Sequence, residues 1–280
     1  MAAPRVVRTR AELRTFLAGA DRPIGLVPTM GALHDGHVSL IRRARAESAT
    51  VLVTIFVNPR QFNDAADFEK YPRDEAADLH LAGLAGADVV WIPSVEEVYP
   101  AGFQSTVRVG ALTEGLEGAA RPGHFEGVTT VVAILLGLAG AERAYFGQKD
   151  AQQLLVVRRM AADLGIGTEI VACPIVREPD GLAMSSRNVR LTPEARAAAP
   201  VLRRALLAAR ARYEAGERDG AALRAAMREV LSTEPLAERE YVSCADSETL
   251  NELARFDGPA LLSMAVRFGT VRLIDNEPLP

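Results

Sequence analysis

Two of the chain's four histidines stand three residues apart in PTMGALHDGHVSL, residues 28–40. The stretch follows the apolar run IGLV and leads into the helical pattern IRRARAES, so His34 and His37 fall where a strand hands over to a helix. A strand, a glycine-containing loop and a helix start form a site for an anion, because backbone N–H groups and the positive end of the helix dipole meet there. Gly31 and Gly36 let the backbone come close to a ligand, and two imidazoles add donors for phosphate oxygens. A single histidine here would read as a loop or capping residue. Two, at the carboxyl end of a strand in a doubly wound fold, favour a ligand. A zinc pair is disfavoured, since no third Cys or His stands nearby. The absence of a GxxxxGKS/T loop and of a GxGxxG fingerprint weakens P-loop kinase and dinucleotide dehydrogenase readings.

Further stretches concentrate reactive side chains. FVNPRQF, residues 56–62, ends a strand with the amides of Asn58 and Gln61, which suit the hydroxyls and carboxylates of a small polar substrate. Asn-Pro is equally a common turn starter. YPRDEAAD, 71–78, offers Arg73 and two carboxylates one helical turn apart; this is either a solvated helix start or, for Asp78, a place in a metal's shell. EGAARPGHFEGV, 117–128, sets Glu117, Arg121 and His124 in a loop before an apolar helix, whereas His80 lies in a plain helical pattern and reads as structural. YFGQKDAQQ, 145–153, places Lys149 and Asp150 just past a strand, with Gln152 and Gln153 on the next helix. A lysine at a strand's carboxyl end suits phosphate, the ordinary alternative being a solvent-facing lysine. REPDGLAMSSRN, 177–188, brings two serines, an arginine and an asparagine into a glycine-containing loop that looks like a hinge between domains. Hydroxyls with a guanidinium suit a triphosphate.

These residues need a scaffold. IGLVPT, TVLVTIFVN, DVVWIPS and AERAYFG read as strands, with helical patterns between them at 38–48, 74–86 and 127–139. AQQLLVVRRMAADLG then reads as helix and TEIVACPIV as strand, and Thr9 with Glu12 makes a capping box for a first helix. Continuous apolar strands separated by helices predict a parallel sheet covered on both faces, an α/β, doubly wound domain. Beyond it, Thr192-Pro193-Glu194 starts a long Ala/Arg helix to about Gly216. Another helix is expected at 219–232, then strand-like runs around a helical piece. The expected division is 1–176 for the sheet domain and 177–280 for a smaller α+β domain. The 280 residues, 49% of them hydrophobic, suffice for a sizeable core. A formal net charge of −4 gives no case for a nucleic-acid surface. No apolar run approaches a membrane span, and MAAPRVVRTRAEL lacks a signal peptide's apolar core. Cys173 and Cys244 are far apart and in no metal-like spacing, as in a cytoplasmic protein with free thiols.

The paired histidines resemble the HIGH-type signature of nucleotidylyl transferases and class I aminoacyl-tRNA synthetases, which holds ATP phosphates during attack at the α-phosphorus. PTMGALHDGH, FVNPRQF, YPRD, EGAARPGHFEGV, YFGQKDAQQ and PDGLAMSSRN, taken together and in this order, closely resemble the pantoate–β-alanine ligase (pantothenate synthetase) family over nearly the whole chain. The resemblance implies a Rossmann-like N-terminal domain, a smaller C-terminal lid and a homodimer. It implies that ATP and Mg²⁺ serve to join pantoate to β-alanine through a pantoyl-adenylate, with release of AMP and pyrophosphate. His34 and His37 would contact ATP phosphates. Lys149, Ser185, Ser186 and Arg187 would stabilise the leaving pyrophosphate, with MSSR as the counterpart of the synthetases' mobile KMSKS loop. Asn58, Gln61 and Gln153, with Met30, would hold pantoate. Pro28, Met30, Gly147, Asp150 and Met184 would line the nucleotide pocket, Glu117 and Arg121 would gate it, and Asp78 aligns with an acidic position implied to help hold Mg²⁺. One departure is visible: Ile134 stands where the family often has lysine. The competing readings are a nucleotidylyl transferase of the same superfamily acting on another small substrate, and an ATP-binding regulatory module without chemistry. The intact Lys149 and Ser185–Arg187 argue against the module.

Overall fold

The computed structural model describes residues 3–63 and 65–280, with Ala65 and Ala66 described by their backbone alone. Six short apolar runs form a parallel sheet: β1 (Arg5–Val7), β2 (Ile24–Thr29), β3 (Thr50–Ile55), β4 (Val89–Trp91), β5 (Arg143–Gly147) and β6 (Glu169–Cys173). Ile24, Leu26 and Leu52 pack into one buried cluster and Val27, Val51, Val53 and Ile55 into another, so both faces of the sheet are apolar and covered. The strand order is β1-β4-β3-β2-β5-β6. From β2 the chain steps one way through β3 and β4, and the other way through β5 and β6. The loops leaving β2 and β5 therefore diverge, and the crevice outside their carboxyl ends is where such a sheet takes a ligand.

The first helix, α1 (Arg10–Ala18), starts at the expected box: the Thr9 hydroxyl accepts from Glu12 N and the Glu12 carboxylate accepts from Thr9 N. It is followed by α2 (Asp35–Glu47), α3 (Ala65–Glu69), α4 (Glu75–Ala85), α5 (Val95–Val98), α6 (Glu117–Ala120), α7 (His124–Ala139) and α8 (Ala151–Asp163). In α7, Ile134 packs half-buried against the core, so the apolar side chain fits where the family often has lysine. Four short elements escape the sequence reading: β1 has three residues, too few to show a period, and α3, α5 and α6 have five, four and four.

The chain folds as two compact units. The first takes in the chain to Thr113, Glu117–Gln148 and Gln152–Pro174; the second takes in Glu114–Leu116, Lys149–Ala151 and Ile175–Pro280. In the second, α9 (Pro193–Ala198), α10 (Val201–Glu214) and α11 (Gly220–Leu231) accompany an antiparallel sheet of β7 (Glu238–Asp246), β8 (Ala260–Phe268) and β9 (Val271–Leu279). Two expectations are corrected here. The single long Ala/Arg helix is two, because Pro200 has no N–H to donate and the ladder breaks at its position. The helical piece expected between β7 and β8 is not helical. Asp246 instead gathers the N–H groups of Glu248 and Thr249 into a turn, and Leu250 takes a left-handed φ of 60°. Among the described residues no helix is long and apolar enough to cross a membrane.

Candidate active site

The loop after β2 is built to start α2. Gly31 has a φ of 81° and Ala32 one of 50°. A Cβ on Gly31 would lie 2.8 Å from Asp78 Oδ2, so glycine is needed for space as well as for backbone freedom. Asp78 comes from α4, is 3% exposed, and accepts from Ala32 N at 3.0 Å and Leu33 N at 2.7 Å. Burial pushes its carboxyl above the ordinary range, and those two amide bonds oppose the rise. The carboxylate that the sequence offered as a metal candidate is thus turned onto the backbone of the histidine loop.

His34 is the N-cap of α2, and its Nδ1 accepts from Gly36 N at 3.1 Å. His37 Nδ1 accepts from His34 N at 3.4 Å, and the two rings lie 4.2 Å apart. This is a reciprocal capping box made of two imidazoles. A nitrogen that accepts an N–H carries no proton, so both rings are neutral with the proton on Nε2. Each ring is therefore an N–H donor at a helix N-terminus, which suits phosphate oxygens.

A second cluster in the same unit surrounds Gln61. Pro59–Gln61 form a 3-10 turn after β3, capped by the Asn58 side chain. Asn58 is 1% exposed and uses its whole amide inside the protein. Its Nδ2 donates to Gln61 Oε1 and Gly127 O, and its Oδ1 accepts from Arg60 N and Tyr99 Oη. Burial pushes the Tyr99 hydroxyl up to about 12, which keeps it a donor. Gln61 Nε2 donates to Met30 Sδ at 3.1 Å, joining this cluster to the residue that enters the histidine loop. The Gln61 carbonyl is held from the other side, by His124 Nδ1 at 2.8 Å and Arg121 Nη2 at 3.2 Å. A carbonyl only accepts and a guanidinium only donates. His124 is therefore protonated on Nδ1, and its Nε2 accepts from Arg121 Nη1 at 3.2 Å. Gly127, on α7, lets the helix reach the turn: a Cβ there would lie 2.3 Å from Arg60 O.

Glu117 stands 4.0 Å from Arg121, and its N–H donates to Gln152 Oε1 at 2.9 Å. Pro28 lies in β2, Gly147 ends β5, and Gln153 is half-buried on α8. The remaining candidates belong to the second unit. Lys149 is half-buried and Asp150 exposed in the 3-10 turn after β5. Met184, Ser185, Ser186 and Arg187 follow a small hairpin in which Arg177 bridges Ala183. Met184 N donates to Val176 O, Arg187 N to Ser185 Oγ, and Asn188 Nδ2 to Glu178 Oε1.

The sequence agrees with a known family along its length. The family model for pantoate-beta-alanine ligase matches residues 5–278. The chain belongs to that family. It is 62% identical over 274 residues to the pantothenate synthetase of Chloroflexus aggregans, covering 97% of this chain and 98% of that one. The crystal structure of pantothenate synthetase from Thermus thermophilus superposes with a TM-score of 0.93 at 50% identity, over 98% of each chain. The pantoate-beta-alanine ligase of Francisella tularensis, solved with beta-gamma ATP and β-alanine, superposes with a TM-score of 0.79 at 32% identity, over 98% of this chain and 97% of that one.

Within this ligase fold, sequence reasoning noticed His124 and gave it no part, and it passed over Tyr99 and Gly127. The useful signal for His124 was its place three residues after Arg121, since a helical turn brings such side chains together. Nothing in the sequence pointed to Tyr99, which meets Asn58 from 41 residues away.

Proposed function

We propose that the two-histidine helix start and the Gln61 cluster are the phosphate and pantoate ends of one ligation centre. The observation that carries this reading is Met30, which receives Gln61 Nε2 and leads directly into Gly31 of the histidine loop. The enzyme condenses pantoate with β-alanine at the expense of ATP, by way of a pantoyl-adenylate.

A carboxylate does not react with an amine at neutral pH, so the acid must first gain a leaving group. A pantoate carboxylate oxygen attacks the α-phosphorus, the bond to the bridging oxygen breaks, and pyrophosphate departs. The amine of β-alanine then attacks the acyl carbon and AMP leaves. No covalent nucleophile is required of the protein. What it must supply is alignment and donors where negative charge collects. His34 and His37 supply two Nε2–H donors, while Lys149, Ser185, Ser186 and Arg187 serve the leaving pyrophosphate. Pro28, Met30, Gly147, Asp150 and Met184 line the nucleotide's place. Gln61 and Gln153 hold pantoate. Asn58, whose amide is engaged within the protein, serves pantoate by setting the plane of the Gln61 side chain. Glu117 and Arg121 shape this end of the site, Arg121 through the Gln61 carbonyl. We assign this binding work to residues 1–176 and, in 177–280, to the Met184–Arg187 loop.

The family implies Mg²⁺. Among the described residues no group of three or more His, Cys, Asp and Glu side chains could hold a metal ion, and both oxygens of Asp78 are on backbone amides. The residues present do not fit a resident metal site. Mg²⁺ commonly keeps its waters and binds through substrate phosphates, and on this reading it arrives with ATP.

Product analysis tests the assignment. With ATP and pantoate alone, pyrophosphate is expected in amounts limited by the enzyme. Adding β-alanine is expected to give AMP, pyrophosphate and pantothenate in equal amounts. Sustained pyrophosphate release without β-alanine, and no pantothenate with it, would point to a nucleotidylyl transferase acting elsewhere.

A homodimer accords with the family resemblance and with the frequency of isologous pairs among closed assemblies. Light scattering at micromolar concentration is expected to give twice the chain mass, and a monomer there would reject the pair. Cytoplasmic residence is supported by Cys173 and Cys244, both unbridged and buried.

A further inference from the structure

Strand β9 alternates through its first half: Val271 and Leu273 are buried, Arg272 and Ile274 only partly. At Asp275-Asn276-Glu277 the alternation stops, and three consecutive polar side chains are 2%, 3% and 6% exposed. Burying such groups is costly unless each finds a partner. Here each does. Glu277 accepts from Arg203 and Arg210 on α10. Asp275 takes the Arg177 guanidinium through two bonds, at 2.7 and 3.0 Å, and Arg177 also donates to the Gly181 carbonyl. Asn276 Nδ2 donates to the main-chain carbonyl of Lys149 at 2.9 Å.

One strand of the second unit thus grips two segments that bear phosphate donors, the base of the 177–188 hairpin and the backbone of Lys149. The lysine is the central residue of a three-residue 3-10 turn, Gln148–Asp150. We propose that Asn276 is a positioning residue for Lys149: by holding its carbonyl it fixes the point from which the ammonium is aimed at phosphate. The inference rests on the reading of Lys149 as a phosphate ligand. Displacing a charge stabiliser by ~1 Å costs about a hundredfold in rate, so an anchor of this kind shows in turnover.

Asn276→Leu, Lys149→Ala and the double variant are compared by pantoate-dependent ATP–pyrophosphate exchange, with thermal unfolding followed by circular dichroism. Lys149→Ala is expected to lose most of the exchange. Asn276→Leu is expected to slow it by roughly tenfold or more, with a cooperative unfolding transition retained. The double variant is expected to be no slower than Lys149→Ala, since residues acting through one group are not additive. Should the leucine variant not fold, Asn276→Asp serves the same arm, because it keeps the size and removes the donor. Unchanged exchange in a folded Asn276 variant beside a crippled Lys149→Ala would overturn the inference. So would a double variant slower than Lys149→Ala by the full factor of the Asn276 change. Full exchange in Lys149→Ala would overturn the reading of Lys149 itself, and this inference with it.

Discussion

Replacing either His34 or His37 with alanine is expected to slow adenylate formation by roughly a hundredfold or more, the usual cost of removing a preorganised donor from developing charge. Each histidine also caps α2, so the same change costs about 0.5–2 kcal/mol of stability. The two effects separate cleanly at position 34. Asparagine is among the best N-cap residues. His34→Asn is therefore expected to recover the melting temperature and leave the exchange rate low, because a cap is restored and the Nε2–H donor is not. The helix itself survives in all these variants, since Val38, Leu40, Ile41 and Ala44 keep it in the core. Near-normal pantoate-dependent ATP–pyrophosphate exchange in both alanine variants, with unchanged circular dichroism, would sink the role given to the histidines.

A marked effect is also expected at His124. Leucine there removes the donor to the Gln61 carbonyl and the acceptor for Arg121, both in a buried setting. An unmet buried polar group costs about 1–3 kcal/mol, which corresponds to roughly tenfold or more in KM if Gln61 is displaced. The rise is expected for pantoate, with the KM for ATP little changed, because the clamp touches the turn carrying Gln61 and not the helix start. His124→Asn places an N–H near the position of Nδ1 and is expected to restore much of the pantoate KM. Equal rises in both constants for His124→Leu, with no recovery in His124→Asn, would mean that His124 serves packing alone.

The sheet was legible because β2, β3, β5 and β6 are continuous apolar runs, a pattern that only strands covered on both faces require. The histidine pair was legible because its meaning is local: a cap, a glycine and a helix start lie within ten residues. What lay hidden depends on partners distant in sequence. Asp78 reads as an ordinary first-turn carboxylate until Ala32 and Leu33 are seen to donate to it from 46 and 45 residues away. Asn58 reads as either a substrate amide or a turn starter, and its bonds to Gly127 and Tyr99 are not visible in the sequence. Pro200 was a local signal and could have been read, since a proline inside an Ala/Arg helix must break its ladder. The break in the alternation of β9 was likewise visible as Asp-Asn-Glu, but its purpose was not, because Lys149 lies 127 residues earlier.

The central claim is that pantoate attacks the α-phosphorus of ATP, with His34 and His37 proposed as donors to its phosphates. The alternative for an ATP-driven ligation is attack at the γ-phosphorus, which makes an acyl phosphate and ADP. Pantoate labelled with heavy oxygen in its carboxylate decides between them. After reaction with ATP and β-alanine, mass spectrometry is expected to find one labelled oxygen in AMP and none in pyrophosphate, because the carboxylate oxygen stays on the phosphorus when the amine displaces the acyl group. Label in inorganic phosphate, with ADP as the nucleotide product, would contradict both the adenylate route and the part given to His34 and His37.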